Sequence, residues 1–268
     1  MTINQDKYSN LLRQYKILWY RSLINIIILL IIIIISFAVV GLLDGKRLSE
    51  EIPDLLEMVA QMLPPDFTRA SDWIKPLIDT LGMSIAGTGM AVIFSLPITF
   101  GAAQNTSPHP FVYFVSRIIL NIARAIPELL LGIIFVAAVG FGALPGVLAL
   151  GFHSIGMVGK FFAESIEHTD NAPIEAAKAV GANHLQIIYH SILPQVLPQI
   201  ADVTFYRWEY NFRASLVLGA VGAGGIGFEI IGALRLLKYQ EVSALLLVVL
   251  VMVTLVDSLG NFLRKKFI

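Results

Sequence analysis

The run "SLINIIILLIIIIISFAVVGLL", Ser22 to Leu43, holds 22 residues without a charge. Wound as a helix rising about 1.5 Å per residue, it crosses a hydrocarbon core of about 30 Å. A chain carrying such a segment is built around a bilayer. Composition agrees: 56% of the 268 residues are hydrophobic, 14% are charged, and the mean hydropathy is +0.76. A net charge of zero offers nothing to nucleic acid, and the lack of cysteine excludes disulfides, thiolate metal ligands and thiol nucleophiles. Arg13, Lys16 and Arg21 precede the run as they would in a signal peptide. The apolar stretch is too long for one, and no Ala-x-Ala site follows, which predicts an uncleaved first helix.

Five further spans are expected at 77–103, 118–140, 144–165, 197–221 and 242–263. The third has an amphipathic lead-in with Arg117, Asn121 and Arg124, and its uncharged core begins only after Pro127. Lysine and arginine number eleven on the face shared by both termini against six on the other, which predicts cytoplasmic termini. The expected organisation is a tail at 1–21, a first span at 22–43, an acidic outer loop at 44–76 and a core at 77–268. Within the outer loop, Leu55, Leu56, Val59, Met62 and Leu63 recur at helical spacing after Pro53. They predict an amphipathic helix that lies on the membrane or on the span ends.

Between the fourth and fifth spans, residues 166–196 include "DNAPIEAAKAVGANHLQIIYHSILPQVLP". Pro173 suits the first turn of a helix, Glu175 the positive end of its dipole and Gly181 its end; a second short helix, closed by Pro194 and Pro198, is expected next. Glu175-Ala176-Ala177, then Gly181, then Leu193-Pro194, at this spacing, resemble the EAA loop of ABC importer permeases. Ser191 stands where that pattern usually has isoleucine. "NIARAIPELLLGIIF", "GVLALGFHSIGMVGKFFAESIE" and "RWEYNFRASLVLGAVGAGGIG" narrow the resemblance to phosphonate-type permeases, over roughly residues 77 to 268.

The resemblance implies an all-α integral membrane protein with the type I ABC importer permease fold, in a bacterial inner membrane. It implies a homodimer with two ATPase subunits, which bind ATP and magnesium, and a periplasmic or extracellular substrate-binding protein. The solute would be a phosphonate, phosphite or related phosphorus oxyanion, and Glu175, Ala176, Ala177, Gly181, Leu193 and Pro194 would meet the ATPase.

Gly222-x-Gly224-x-x-Gly227 satisfies a dinucleotide-binding fingerprint by letter, but it follows one membrane span and precedes another rather than joining a strand to a helix. Gly222, Gly224, Gly225 and Gly227 are expected instead to turn the backbone and let helices approach at a gate. Just before them, Arg207, Glu209, Asn211 and Arg213 interrupt an apolar span. Charges in a bilayer face protein or water. Arg207 and Asn211 share one helix face and Glu209 and Arg213 a roughly opposite one. The first pair is expected to line the solute pathway, since a guanidinium fork matches an oxyanion, and the second to hold the helix to a neighbour.

His153, Lys160, Glu164 and His168 form a weaker stripe, with His153 expected as a hydrogen-bonded interior group and Lys160 paired with Glu164. Arg117, Asn121, Arg124 and Glu128 form another, read as an anchor at the headgroups, with Arg124 and Glu128 as further pathway candidates. No Gly-Lys-Ser/Thr step completes a Walker motif, so ATP hydrolysis would lie on a separate subunit. Metal-ligand clusters and a Gly-x-Ser-x-Gly elbow are missing as well, and no cofactor is expected in the chain. An ion-coupled secondary transporter of a small anion would use the same intramembrane charges, and an ABC permease for an amino acid would share the loop.

Overall fold

Residues in this chain wind into helices wherever apolar runs are uninterrupted, and Gly and Pro decide where those helices stop or bend. The computed structural model describes the backbone of residues 5–267, with side chains from Arg13 to Lys266 save those of Gln14 and Ile17. The first four residues of the expected tail and the last of the expected core lie outside it. Among the described residues there are eleven α-helices and no strand.

The chain divides into two units, residues 1–61 and 62–268. The first contains α1 (Gln5–Val39) and α2 (Gly45–Gln61). Helix α1 runs through Arg21 without a break and stops short of the expected Leu43 boundary. Its end is a Schellman turn: the Gly41 N–H donates to Ala38 O and the Leu42 N–H to Phe37 O, with Gly41 at φ +77°. The amphipathic helix α2 starts well before Pro53. Asp44 Oδ1 accepts the Lys46 and Arg47 N–H groups, and an Arg47–Glu51 pair at 2.7 Å spans the next turn.

The second unit begins with a 3₁₀ turn at Ala70–Trp73 leading into α3 (Ile74–Ala102). Then come α4 (Pro110–Ala125), α5 (Glu128–Val139) and α6 (Ala143–Glu167). The cytoplasm-side loop of the sequence expectation forms α7 (Asn171–Ala179) and α8 (His184–Ile187), and α9 (Leu193–Leu218), α10 (Gly225–Arg235) and α11 (Tyr239–Phe267) complete the unit. Helix α6 lies at the centre and packs on α3, α4, α5 and α9, while α11 closes over α9 and α10.

Among the described residues, four helices are long and apolar enough to cross a membrane, and six if each of two bent pairs counts as one span. The expected third span is one of those pairs: α4 and α5 meet at 82°. Pro127 has no N–H to continue α4, and it forces Ile126 into extended backbone (φ −87°, ψ 120°). The other pair is α9 with α10, bent by 58° at the glycine run.

The second loop helix also differs from expectation. Pro194 and Pro198 do not close it; α8 passes through a π-helical turn at Ile188–Ile192 directly into α9, with Pro194 in the first turn and Pro198 inside. The Leu193 N–H reaches back to Ile188 O, one residue further than in an α-helix. That widened turn absorbs the N–H that proline lacks and gives its ring room.

Candidate functional site

Two sets of side chains stand apart from ordinary helix packing. The first is the surface loop. Asp170 caps α7 by accepting the Ala172 N–H, and Gly181 ends it at φ +82°. The Gly181 N–H donates to Lys178 O and the Ala182 N–H to Ala177 O, a second Schellman turn. Asn183 and Gln186 then form a reciprocal capping box that opens α8.

Glu175, Ala176 and Gly181 are exposed, Ala177 and Leu193 half-buried, and Pro194 exposed. Val180 at 85% and Leu185 at 75% exposure extend an apolar surface beside the bare alanines. Beneath, Ile174, Ile187, Ile192 and Val196 share one cluster with Ile166 of α6. Ser191 Oγ donates to Pro173 O at 3.2 Å, and the Asp170 N–H to Gln195 Oε1 at 2.9 Å. The loop is therefore tied to the start of α9 by these bonds and by the shared apolar cluster.

The second set lies along α9. Its two polar faces separate as helix geometry requires, and each finds partners the sequence did not reveal. Arg207 is 4% exposed and Asn211 0%. The Arg207 Nε–H donates to Ser154 Oγ at 2.8 Å, Ser154 donates to Asn211 Oδ1 at 3.1 Å, and Asn211 Nδ2 donates to Thr88 Oγ1 at 2.9 Å. This relay ties α9 to α6 and α3. Asn211, expected on the pathway, spends its amide on protein within the protomer.

On the other face, Arg264 of α11 reaches Glu209 and Asp257 reaches Arg213, each at 2.7 Å. The expected single pair is thus two ion pairs, both to α11. Arg264, counted among the basic residues after the last span, is committed to Glu209.

Glu128 opens α5 on the far side of the 82° bend, so it does not continue the stripe of Arg117, Asn121 and Arg124. Its Oε1 accepts the Tyr210 hydroxyl at 2.6 Å, and its Oε2 lies 3.3 Å from His153 Nε2. His153 Nδ1 meets Ile126 O at 2.9 Å, in keeping with an interior histidine. Arg124 is exposed and chelated by Asn121, while Arg117 pairs with Glu167 at 2.7 Å. Lys160 and Glu164 pair at 3.5 Å, as their spacing predicted. A cleft of about 350 Å³ between α5 and α9 is walled by Glu128, Leu129, Tyr210, Arg213, Ala214 and Val217.

The glycine run turns the chain beyond α9. Gly222, Gly224 and Gly225 have φ of +100°, +75° and +71°, a region that admits glycine far more readily than other residues. Gly227 lies so close to Leu216 O that a side chain there would strike the backbone. The Ile226 N–H at the start of α10 donates to Thr80 Oγ1 at 2.9 Å.

Sequence reasoning missed Ser154, Thr88, Tyr210, Asp257 and Arg264. Serine and threonine are routine in membrane helices, so only the packing of three helices around Asn211 distinguishes these two. Tyr210 stood inside the charged stretch and was hidden by its neighbours.

An all-helical, membrane-spanning subunit with an exposed loop packed on a charged inner helix is the architecture of a type I ABC importer permease. The chain belongs to the family of binding-protein-dependent transport system inner membrane components, whose model matches residues 69–268. It is 57% identical to the phosphite transport system permease protein PtxC of Stutzerimonas stutzeri, over 98% of this chain and 95% of that one. It is 42% identical to the phosphate-import permease protein PhnE of Mycolicibacterium smegmatis, over 86% of this chain but only 42% of the longer relative. Among solved structures, the inward-facing MetNI methionine ABC transporter superposes with a TM-score of 0.62 at 21% identity, covering 73% of this chain and 96% of that one. A bacterial alginate importer superposes with a TM-score of 0.57 at 15% identity, over 96% of this chain and 99% of that one.

Proposed function

We propose that this chain is the membrane subunit of an ATP-driven importer for phosphite, a phosphonate or a related phosphorus oxyanion, and that it works by alternating access. Near-full-length identity of 57% to a phosphite transport permease is the observation that carries the reading. Two copies of the chain, two ATPase subunits holding ATP and magnesium, and an external binding protein would complete the machine. Both termini would face the cytoplasm.

The mechanism follows from the loop. The ATPase dimer grips the surface around Glu175, Ala176 and Ala177, and its closure on ATP moves α7. Because α7 is bonded through Ser191 and Gln195 to the start of α9, the movement reorients the helix that bears Arg207 and Arg213. Coupling requires that the ATP-bound and ATP-free ATPases differ in affinity for the two permease conformations.

Purification of the tagged chain from its native membrane in mild detergent, with mass spectrometry of what accompanies it, tests the reading. A stoichiometric ATPase with a Walker motif, lost on Glu175→Lys, is the expected result. A chain that emerges alone and still moves phosphite into liposomes without ATP would be a secondary transporter, and the reading would fall.

A further inference from the structure

Arg207 is a buried charge, 4% exposed, that Ser154 only partly satisfies. No carboxylate lies within ion-pair distance of it, and its Nη2, fully buried, has no hydrogen-bond partner. A buried guanidinium left this way is costly, so the fold retains it against a penalty. What covers it is Tyr210, whose ring centroid lies 4.1 Å from the guanidinium carbon. Tyr210 in turn is held by its hydroxyl bond to Glu128, and both of these residues stand on the wall of the α5–α9 cleft with Arg213. Arg207, Tyr210 and Arg213 follow one another at steps of three along α9, so the tyrosine sits between a covered arginine and one whose side chain is 43% exposed.

We propose that Tyr210 is a latch: Glu128 holds it over Arg207 in the empty cleft, and an oxyanion entering beside Arg213 releases it and takes the free Nη2 donor. Glu128 acts on the Arg207 charge from beyond ion-pair distance, so its carboxylate offsets part of the attraction that would otherwise draw the solute to that donor. A second partner for the released carboxylate is already in contact. His153 meets the carbonyl of Ile126 through Nδ1, and a carbonyl only accepts, so that nitrogen carries a proton. Glu128 Oε2 lies 3.3 Å from His153 Nε2, so the carboxylate keeps this neighbour when the tyrosine leaves. The latch makes Glu128 and Tyr210 specificity-determining residues, since a neutral solute has nothing with which to displace the carboxylate.

The inference rests on the solute being an oxyanion, as proposed above. Phosphite is titrated by calorimetry onto the purified permease–ATPase complex in nanodiscs, without nucleotide or binding protein. Glu128→Gln removes the competing charge, and phosphite is expected to bind at least about tenfold tighter than to the native complex. Tyr210→Phe keeps the ring but frees it, and shifts affinity the same way by a smaller factor. Arg207→Met in either background reverses the gain.

A residue that merely supports the fold would leave binding unchanged or weaken it, so no tightening in Glu128→Gln and Tyr210→Phe overturns the latch. Detectable binding in a variant when the native complex shows none supports it, and no binding in any form overturns it. If Glu128→Gln does not assemble, Tyr210→Phe decides alone. ATP-dependent phosphite uptake by the native complex with its binding protein, measured in parallel, separates the two readings. Uptake without tightening removes the latch only, whereas no uptake of phosphite or phosphonate removes the transport assignment.

Discussion

Glu209 of α9 and Arg264 of α11 meet at 2.7 Å, and the carboxylate lies against the bare Cα of Gly260. Glu209 is only 6% exposed, so Arg264 is what makes its charge tolerable inside the protein. Arg264→Ala strands that charge and is expected to cost about 3–5 kcal/mol, the range for breaking a buried pair. Gly260→Ala is expected to act in the same direction, because its methyl would displace the carboxylate. Thermal unfolding of the purified chain in detergent checks both, and melting temperatures within a degree or so of native would show that the pair is not structural.

Ser154 is the hinge of the relay, since it accepts from Arg207 and donates to Asn211. Ser154→Ala removes both bonds at once and leaves a buried guanidinium without its one hydrogen-bond acceptor. A loss of about 2–3 kcal/mol is expected, the scale for stranding a charged donor. Asn211→Leu, which removes a neutral partner, should cost less. The opposite order of denaturation midpoints would mean that Arg207 finds another acceptor.

Gly181 has open space around it, so a side chain there meets strain from φ +82° rather than a clash. Gly181→Ala should therefore cost only about 1–2 kcal/mol and leave insertion intact. Gly181→Asp adds a charge at the surface proposed to meet the ATPase, and Glu175→Lys reverses one. Both are expected to insert normally yet abolish ATP-driven uptake. Full uptake by these two variants would remove the loop from the coupling pathway.

Ser191 joins α7 to the π turn through Pro173 O. Ser191→Ala removes that bond, a change of about 1 kcal/mol in stability. If the loop transmits movement as a rigid piece, uptake per ATP hydrolysed should fall while ATPase binding stays. An unchanged transport-to-hydrolysis ratio would assign transmission to the apolar cluster of Ile174, Ile187 and Ile192 alone.

Arg207→Ala is expected to abolish uptake without disturbing ATPase assembly, because the arginine lies within the helix bundle and not on the loop. Transport assays beside co-purification check this. Normal uptake would return Arg207 to a purely structural role.

The sequence by itself determined that this is a helical membrane protein, and approximately where its spans lie, because a helix facing lipid needs a long apolar run to cross the hydrocarbon core. It also determined the first loop helix and its end, since Pro173 in the first turn and Gly181 past the last act through local backbone physics that needs no distant partner. The same holds for the split of Arg207 and Asn211 from Glu209 and Arg213, which 3.6 residues per turn impose on any helix.

Only the tertiary structure decided the rest. Whether Pro127 kinked a span or broke it depended on α6, against which both halves pack. Pro194 and Pro198 looked like stops, and became part of α9 because a π turn upstream made room for them. The partners of the charged helix came from residues 44 to 123 positions away, Asp257, Arg264, Ser154, Glu128 and Thr88. A helix face can be read from spacing, but which helix it meets depends on how all of them pack, and that is a property of the whole chain.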